Sequence, residues 1–223
     1  MMEISKVAVR NFANTYLIQD EEGAILVDAG LPGGEKAILQ TCREQNAMPG
    51  LIIITHGHFD HMGSAAALKE QTGAKVAIHT EDAEALRTGV SKMDKPVGVI
   101  SRIMPLFMGR SRTRPVEPDI LISEEIGLEE YGISGKILLT PGHTSGSISV
   151  MLNSGEVFVS DLIMGGFFGK IRSRHPNLPP FEIGRSDIKN SVRYVLDQNP
   201  TIIYPGHGGP FTPEAVAKWH KSL

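Results

Sequence analysis

Leu51-Ile52-Ile53-Ile54-Thr55-His56-Gly57-His58-Phe59-Asp60-His61 is the stretch whose reading decides the fold. Four consecutive apolar, mostly β-branched residues read as a strand buried on both faces. Immediately after them comes a concentration of donors: three imidazoles and a carboxylate within the six residues 56–61. Neutral imidazole nitrogen and carboxylate oxygen are the donors that a borderline cation such as zinc accepts. In extended chain, residues i and i+2 point to one side, so His56 and His58 can reach one point in space. Asp60 and His61 fall where the chain turns into a helix and can face a second, adjacent point. A solvated polar loop with incidental histidines is the plainer alternative, and the density of donors weighs against it.

Four donors do not complete two metal sites, and further candidates stand at the ends of three other apolar runs. Ile137-Leu138-Leu139-Thr140 leads into Pro141-Gly142-His143-Thr144, Glu156-Val157-Phe158-Val159-Ser160 into Asp161, and Ile202-Ile203-Tyr204 into Pro205-Gly206-His207-Gly208. Short β-rich runs that each end in a ligand-type residue describe a sheet whose strand ends share one rim. A glycine before each of these two histidines permits the tight backbone approach of a ligand loop. Taken singly, His143 or His207 reads as a hydrogen-bonded loop histidine. Beside the 56–61 segment, each reads as a ligand.

These motifs resemble, in order and spacing, those of the metallo-β-lactamase-fold hydrolases. So does the early pair Asn14-Thr15-Tyr16-Leu17 and Leu26-Val27-Asp28-Ala29-Gly30. The resemblance runs from about residue 5 to 210. It implies an α/β fold of the αββα four-layer sandwich type. It also implies that His56, His58 and His143 hold one metal, that Asp60, His61 and His207 hold the other, and that Asp161 bridges them. All seven positions carry the family's residue types, which weighs against a degenerate, non-catalytic copy. Within the family the motif set is most similar to glyoxalase II. True β-lactamases of this fold generally lack the bridging aspartate and many use a cysteine ligand, whereas the one cysteine here is Cys42, ahead of the metal motif. Only the residues 208–223 come after His207, so the expectation is a glyoxalase II-like chain without that enzyme's C-terminal helical domain.

Length and composition agree with one metallo-hydrolase domain over 1–223. The chain has 223 residues, 41% of them hydrophobic, enough to bury a substantial core. A net charge of −3 offers no bulk attraction to nucleic acid or to an anionic membrane. One cysteine forms no intramolecular disulfide and suits a reducing cytoplasm. Met1-Met2-Glu3-Ile4-Ser5-Lys6 lacks a charged-then-apolar leader, and no apolar run reaches bilayer length.

Strands are expected near 7–9, 16–18, 25–27, 51–54, 75–78, 120–122, 137–140, 147–152, 156–159 and 201–203, and helices near 35–45, 65–69, 81–88 and 187–198. Two segments interrupt this plan, 90–116 and 162–184, and read as insertions acting as lid or substrate surface. The first mixes Met and Ile with Lys92, Lys95, Arg102, Arg110, Arg112 and Arg114; the second carries Met164-Gly165-Gly166-Phe167-Phe168-Gly169 with Lys170, Arg172, Arg174 and His175. Glycine-rich loops with aromatics can act as lids. Arg110, Arg112 and Arg114 are candidate substrate-binding residues, because a guanidinium fork grips a carboxylate or phosphate with two bonds. The alternative is a helix at 100–108 packed on the core with its arginines in solvent. His79 and His175 read as ordinary polar residues.

Two divalent ions at such a centre, zinc first with iron and manganese as alternatives, would lower the pKa of a shared water towards neutrality. The expected reaction is hydrolysis of an ester, thioester or lactone by a metal-bridged hydroxide. One ion polarises the carbonyl, and Asp60 orients the nucleophile and carries its proton. Tyr16 or Tyr204 could donate to the oxyanion. Asp28 is expected to order the loop behind the metals. The expected partner is a small-molecule substrate, anionic with an acyl chain, with no nucleic acid and no membrane span. The rival readings are a mono-iron persulfide dioxygenase-like enzyme, an RNase Z-like phosphodiesterase and a non-enzymatic binding module.

Overall fold

A computed structural model describes residues 2–9, 12–91, 95–97, 112–167 and 171–223. The strands are β1 (Glu3–Val9), β2 (Ala13–Asp20), β3 (Gly23–Val27), β4 (Leu51–Ile54), β5 (Lys75–His79), β6 (Lys95–Pro96), β7 (Ile120–Ile122), β8 (Ile126–Gly127), β9 (Gly135–Leu139), β10 (Ile148–Leu152), β11 (Glu156–Ser160), β12 (Met164–Phe167), β13 (Ile171–Asn177), β14 (Phe181–Glu182) and β15 (Ile202–Pro205). The helices are α1 (Glu35–Glu44), α2 (Phe59–Met62), α3 (Ala65–Thr72), α4 (Ala83–Thr88), α5 (Arg185–Asp197) and α6 (Pro213–His220).

Two sheets carry the fold, one in the order β1-β2-β3-β4-β5-β7 and the other β15-β11-β10-β9-β8. Pairing is parallel along β3-β4-β5-β7 and between β11 and β15. Strand alternation explains the layers. Leu51 and Ile53 of β4 turn inward with Tyr16, Ile18, Ile25 and Val27, against Ile137, Ile148, Val150 and Phe158 of the second sheet. Their neighbours Ile52 and Ile54 turn outward, onto Ile38 and Leu39 of α1, Leu68 of α3 and Leu86 of α4. The second sheet does the same: Leu138, Val157, Val159 and Ile203 pack on Ile188, Val192 and Val195 of α5 and Val216 of α6. The run 51–54 is continuously apolar because both of its faces are buried. The result is the expected αββα sandwich.

The expected strands and helices recur with shifted ends; β1, for instance, begins at Glu3. The 162–184 segment is more regular than a loop. β12 and β13 form an antiparallel hairpin whose base is pinned to the last ligand loop, Gly165 N–H donating to the His207 carbonyl at 2.7 Å. The two interrupting segments also meet, because β14 pairs with β6 and Val97 N–H donates to the Pro180 carbonyl. Arg102, Arg110 and the 100–108 stretch lie outside the described residues.

Candidate metal centre

Every ligand candidate leaves the carboxyl end of a strand, the 56–61 segment after β4, His143 after β9, Asp161 after β11 and His207 after β15, and Asp28 does so after β3. Parallel strands must present these ends on one edge, and there the two sheets meet, Ile148 N–H donating to the Thr55 carbonyl at 3.0 Å. Two of the turns need unusual backbone. Asp28 has φ 65° and Ser160 φ 46°, left-handed values uncommon for non-glycine residues and typical of strained functional turns. Gly206 meets a different demand, since a Cβ there would collide with Asp161 Oδ1 and His61 Cε1. Only glycine lets the His207 loop approach this closely.

The structure brings all seven predicted ligands together. His56, His58 and His143 place ligand atoms within 4.8 Å of one another, and so do Asp60, His61 and His207. Asp161 lies between the two sets, with Oδ2 3.8 Å from His143 Nε2 and 3.5 Å from His207 Nε2, and Oδ1 3.6 Å from His61 Nε2. None of the seven is more than 7% exposed.

The orientation of the rings follows from what holds their far nitrogens. His61 donates from Nδ1 to Asp28 Oδ2 (2.7 Å), His143 to the Phe181 carbonyl (2.8 Å) and His207 to the Phe12 carbonyl (2.7 Å). Carboxylates and carbonyls only accept, so the hydrogen sits on Nδ1 and Nε2 faces the cluster. His56 Nδ1 faces the hydroxyls of Thr55 (3.2 Å) and Ser160 (3.4 Å). His58 is turned the other way, its Nδ1 lying 3.0 Å from His143 Nε2. Asp28 therefore has the ordering role expected of it. It also accepts from Thr55 N–H and Oγ1–H, and Thr55 Oγ1 lies 2.6 Å from Ser160 Oγ.

A cation fits this centre. His56 Nε2, His61 Nε2 and Asp161 Oδ1 are buried with no hydrogen-bond partner. Each such orphan costs about 1–3 kcal/mol, and shared coordination would remove that cost. Electrostatics divide the cluster. Burial, reinforced by the neighbouring His61, His143 and His58, holds His56 well below the usual imidazole range. Burial and then His58 push His143 down to about 3. Burial also opposes charge on His61 and His207, yet carboxylates outweigh it. Asp28, Asp161 and Asp60 hold His61 well above its ordinary value, and Asp161 with Asp60 raises His207 to about 10. The carboxyls respond in turn: burial disfavours their charge, but His207 and His61 keep Asp161 well below the usual range, and the same two histidines lower Asp60.

Sequence reasoning missed several of the residues that brace this centre. Asp82 is one, its carboxylate bonded to Gly57 and Thr144. The carbonyls of Phe12 and Phe181 are others. Tyr16 departs from expectation, because its hydroxyl donates to the Pro205 carbonyl at 2.7 Å and Asn14 donates to the Pro205 and Gly208 carbonyls. This pair braces the His207 loop. Tyr204 stacks on Phe158 at 5.0 Å. His79 caps the turn after β5 and His175 is exposed, both ordinary polar residues.

Of the candidate arginines, Arg114 forms an exposed ion pair with Glu70 of α3 rather than joining the cluster. Arg112 is exposed and bridges Val90 by backbone. Arg110 lies outside the described residues. A cavity of about 290 Å³ borders the ligand loops at Gly57 and Thr144 and is lined also by Ala85, Val90, Glu81 and Glu84.

Comparison with known proteins agrees with this fold. Residues 8–207 match the metallo-beta-lactamase superfamily. The chain is 30% identical over 203 residues to the uncharacterized protein YobT of Bacillus subtilis (strain 168), covering 87% of this chain and 82% of that one. It is 27% identical over 219 residues to the probable metallo-hydrolase YflN of the same organism, covering 90% and 82%. Among solved structures, the BLEG-1 B3 metallo-beta-lactamase superposes with a TM-score of 0.72 at 21% identity, over 98% of this chain and 97% of the other. TTHA1623 in a di-iron-bound form superposes with a TM-score of 0.68 at 24% identity, over 95% of each.

Proposed function

The chain belongs to the metallo-beta-lactamase superfamily, and on that footing we propose that it is a dinuclear metal-dependent hydrolase of the glyoxalase II-like branch, cleaving an ester, thioester or lactone bond. The observation that carries this reading is the pairing of two complete ligand sets, His56/His58/His143 and Asp60/His61/His207, with Asp161 between them. The donor set of five imidazoles and two carboxylates suits zinc, and iron or manganese share that preference. Divalent ions held there supply Lewis acidity and a water whose pKa lies near neutrality.

The chain's own residues do the rest. Asp161 joins both sets, so one carboxylate sets their separation and offsets cationic charge. Asp60 Oδ2 lies 3.3 Å from His207 Nε2 and, held as a carboxylate, is the atom assigned to orient the attacking water and accept its proton. Burial of all seven ligands excludes bulk water and strengthens each of these interactions. The segments 90–116 and 162–184 are assigned as the substrate-facing insertions of a single domain. Their pairing through β6 and β14 supports the assignment, since Phe181 of β14 also orients His143. Arg110, Arg112 and Arg114 are assigned to an anionic, acyl-bearing small molecule, with Arg114 contributing least because Glu70 already engages it.

No helix among the described residues is long and apolar enough to cross a membrane, and the single cysteine suits a cytoplasmic location. A hydrolysis screen over lactoylglutathione, acyl-homoserine lactones, p-nitrophenyl esters and bis-p-nitrophenyl phosphate, run beside elemental analysis, tests the reading. Turnover of a carboxylic ester, thioester or lactone is expected. Turnover of the phosphodiester alone would point to a nuclease, and a single redox-active iron with no hydrolysis would point to a dioxygenase.

A further inference from the structure

We propose that Asp82 is a positioning residue that holds the three-histidine ligand set in register. It sits at the end of the short turn Thr80–Asp82 that succeeds β5 and is the residue before α4. A carboxylate there could cap the helix, yet Asp82 makes no side-chain cap bond. Its Oδ2 is spent elsewhere, accepting from Gly57 N–H at 2.9 Å and from Thr144 Oγ1–H at 2.7 Å. Gly57 stands between His56 and His58, and Thr144 directly follows His143. One buried oxygen, on a residue 5% exposed, therefore ties together two loops that arise from different sheets, one after β4 and one after β9. Thr144 Oγ1 also contacts Ser147 Oγ at 2.9 Å, which fixes the second loop internally. At Gly57 the fit is close, since a Cβ there would lie 2.6 Å from Ala85 Cβ of α4.

The other ligand set is braced by different residues. Asp28 holds His61, the Phe12 carbonyl holds His207, and Asn14 with Tyr16 holds the 205–208 loop. Loss of the Asp82 tether should therefore fall on His56, His58 and His143 and spare Asp60, His61 and His207. Hydrogen-bonding partners behind metal ligands typically set affinity by about 10–100-fold, and that is the effect expected here.

The assignment rests on the dinuclear reading above, and the test separates the two. Zn²⁺ and Co²⁺ are titrated into metal-free wild type, Asp82→Ala, Asp82→Asn and Thr144→Val against a chromophoric chelator, with Co²⁺ absorption spectra recorded at each step. His58→Ala and His207→Ala serve as references for loss of one set or the other. Asp82→Ala is expected to weaken one of the two ions about 10–100-fold, leave the other within a few-fold, and give the residual Co²⁺ spectrum of His58→Ala. Asp82→Asn keeps an oxygen acceptor in place and should recover most of the affinity. Thr144→Val removes one of the two bonds and should weaken the same ion by less. Wild-type affinity for both ions in Asp82→Ala, or equal weakening of both, would overturn the assignment. If Asp82→Ala fails to fold, Thr144→Val decides by the same criterion. A wild type that takes up neither ion would refute the metal centre itself.

Discussion

His58 enters the cluster through Nδ1, whereas His56, His61, His143 and His207 present Nε2. Its ring lies edge-on to its neighbours, with the His143 ring centroid at 4.6 Å and the Phe181 ring centroid at 6.4 Å. His58→Ala should lower hydrolysis by at least about 100-fold, the cost of misplacing reacting groups by an ångström or so. The fold should survive because it rests on the two sheet cores. A circular dichroism melt beside the kinetics checks this, and wild-type turnover in a folded variant would place the chemistry elsewhere. A second expectation concerns protons. Without metal, Asp161 and Asp60 raise His207 to about 10, and Asp28, Asp161 and Asp60 raise His61 as well. A metal needs the lone pair that this proton occupies, so binding at about pH 7 should release protons and apparent affinity should rise with pH. Calorimetry in buffers of different ionisation enthalpy measures the release; a binding heat independent of buffer would contradict it. The donors themselves were legible because imidazole and carboxylate advertise metal chemistry at these spacings. The groups that aim them were less so. Backbone carbonyls such as those of Phe12 and Phe181 carry no residue type, and Asp82 stands in a helix-entry sequence indistinguishable from a capping aspartate.

At the scale of elements, each strand end delivers one part of the site, and the βα turns do the positioning. The apolar runs were readable as strands because burial on both faces leaves no polar break, as in Leu51–Ile54. The β12–β13 pair was not: Met164-Gly165-Gly166 reads as a flexible loop, and the pair lies against Gly208 and Gly209, a long-range contact that local propensity does not reveal. Neutralising Arg110, Arg112 and Arg114 together should raise KM for anionic esters and leave kcat unchanged, because a contact made equally in ground and transition states moves binding alone. Arg114→Gln by itself should do little, since its partner is Glu70 at the surface. Steady-state kinetics on matched charged and neutral esters separate these outcomes; equal loss on both would remove the arginines from substrate recognition.

For the whole molecule, two sheets face to face supply the rigidity on which the ligand rim depends. Phe158 is fully buried between them, stacked on Tyr204 and tilted against Tyr16 at 4.9 Å. Phe158→Ala should cost about 3–5 kcal/mol in urea unfolding of the metal-free protein, the range for deleting a buried aromatic ring. A change below about 1 kcal/mol would mean that the intersheet core does not carry the fold. Rigid sheets also explain how seven candidate ligands scattered from residue 56 to 207 are brought to one place. Whether they hold two ions is decided by metal stoichiometry. Elemental analysis after full loading and removal of free metal should find two divalent ions per chain in the wild type, and fewer in Asp161→Ala, where one carboxylate serves both sets. One ion or none in the fully loaded wild type would contradict the account.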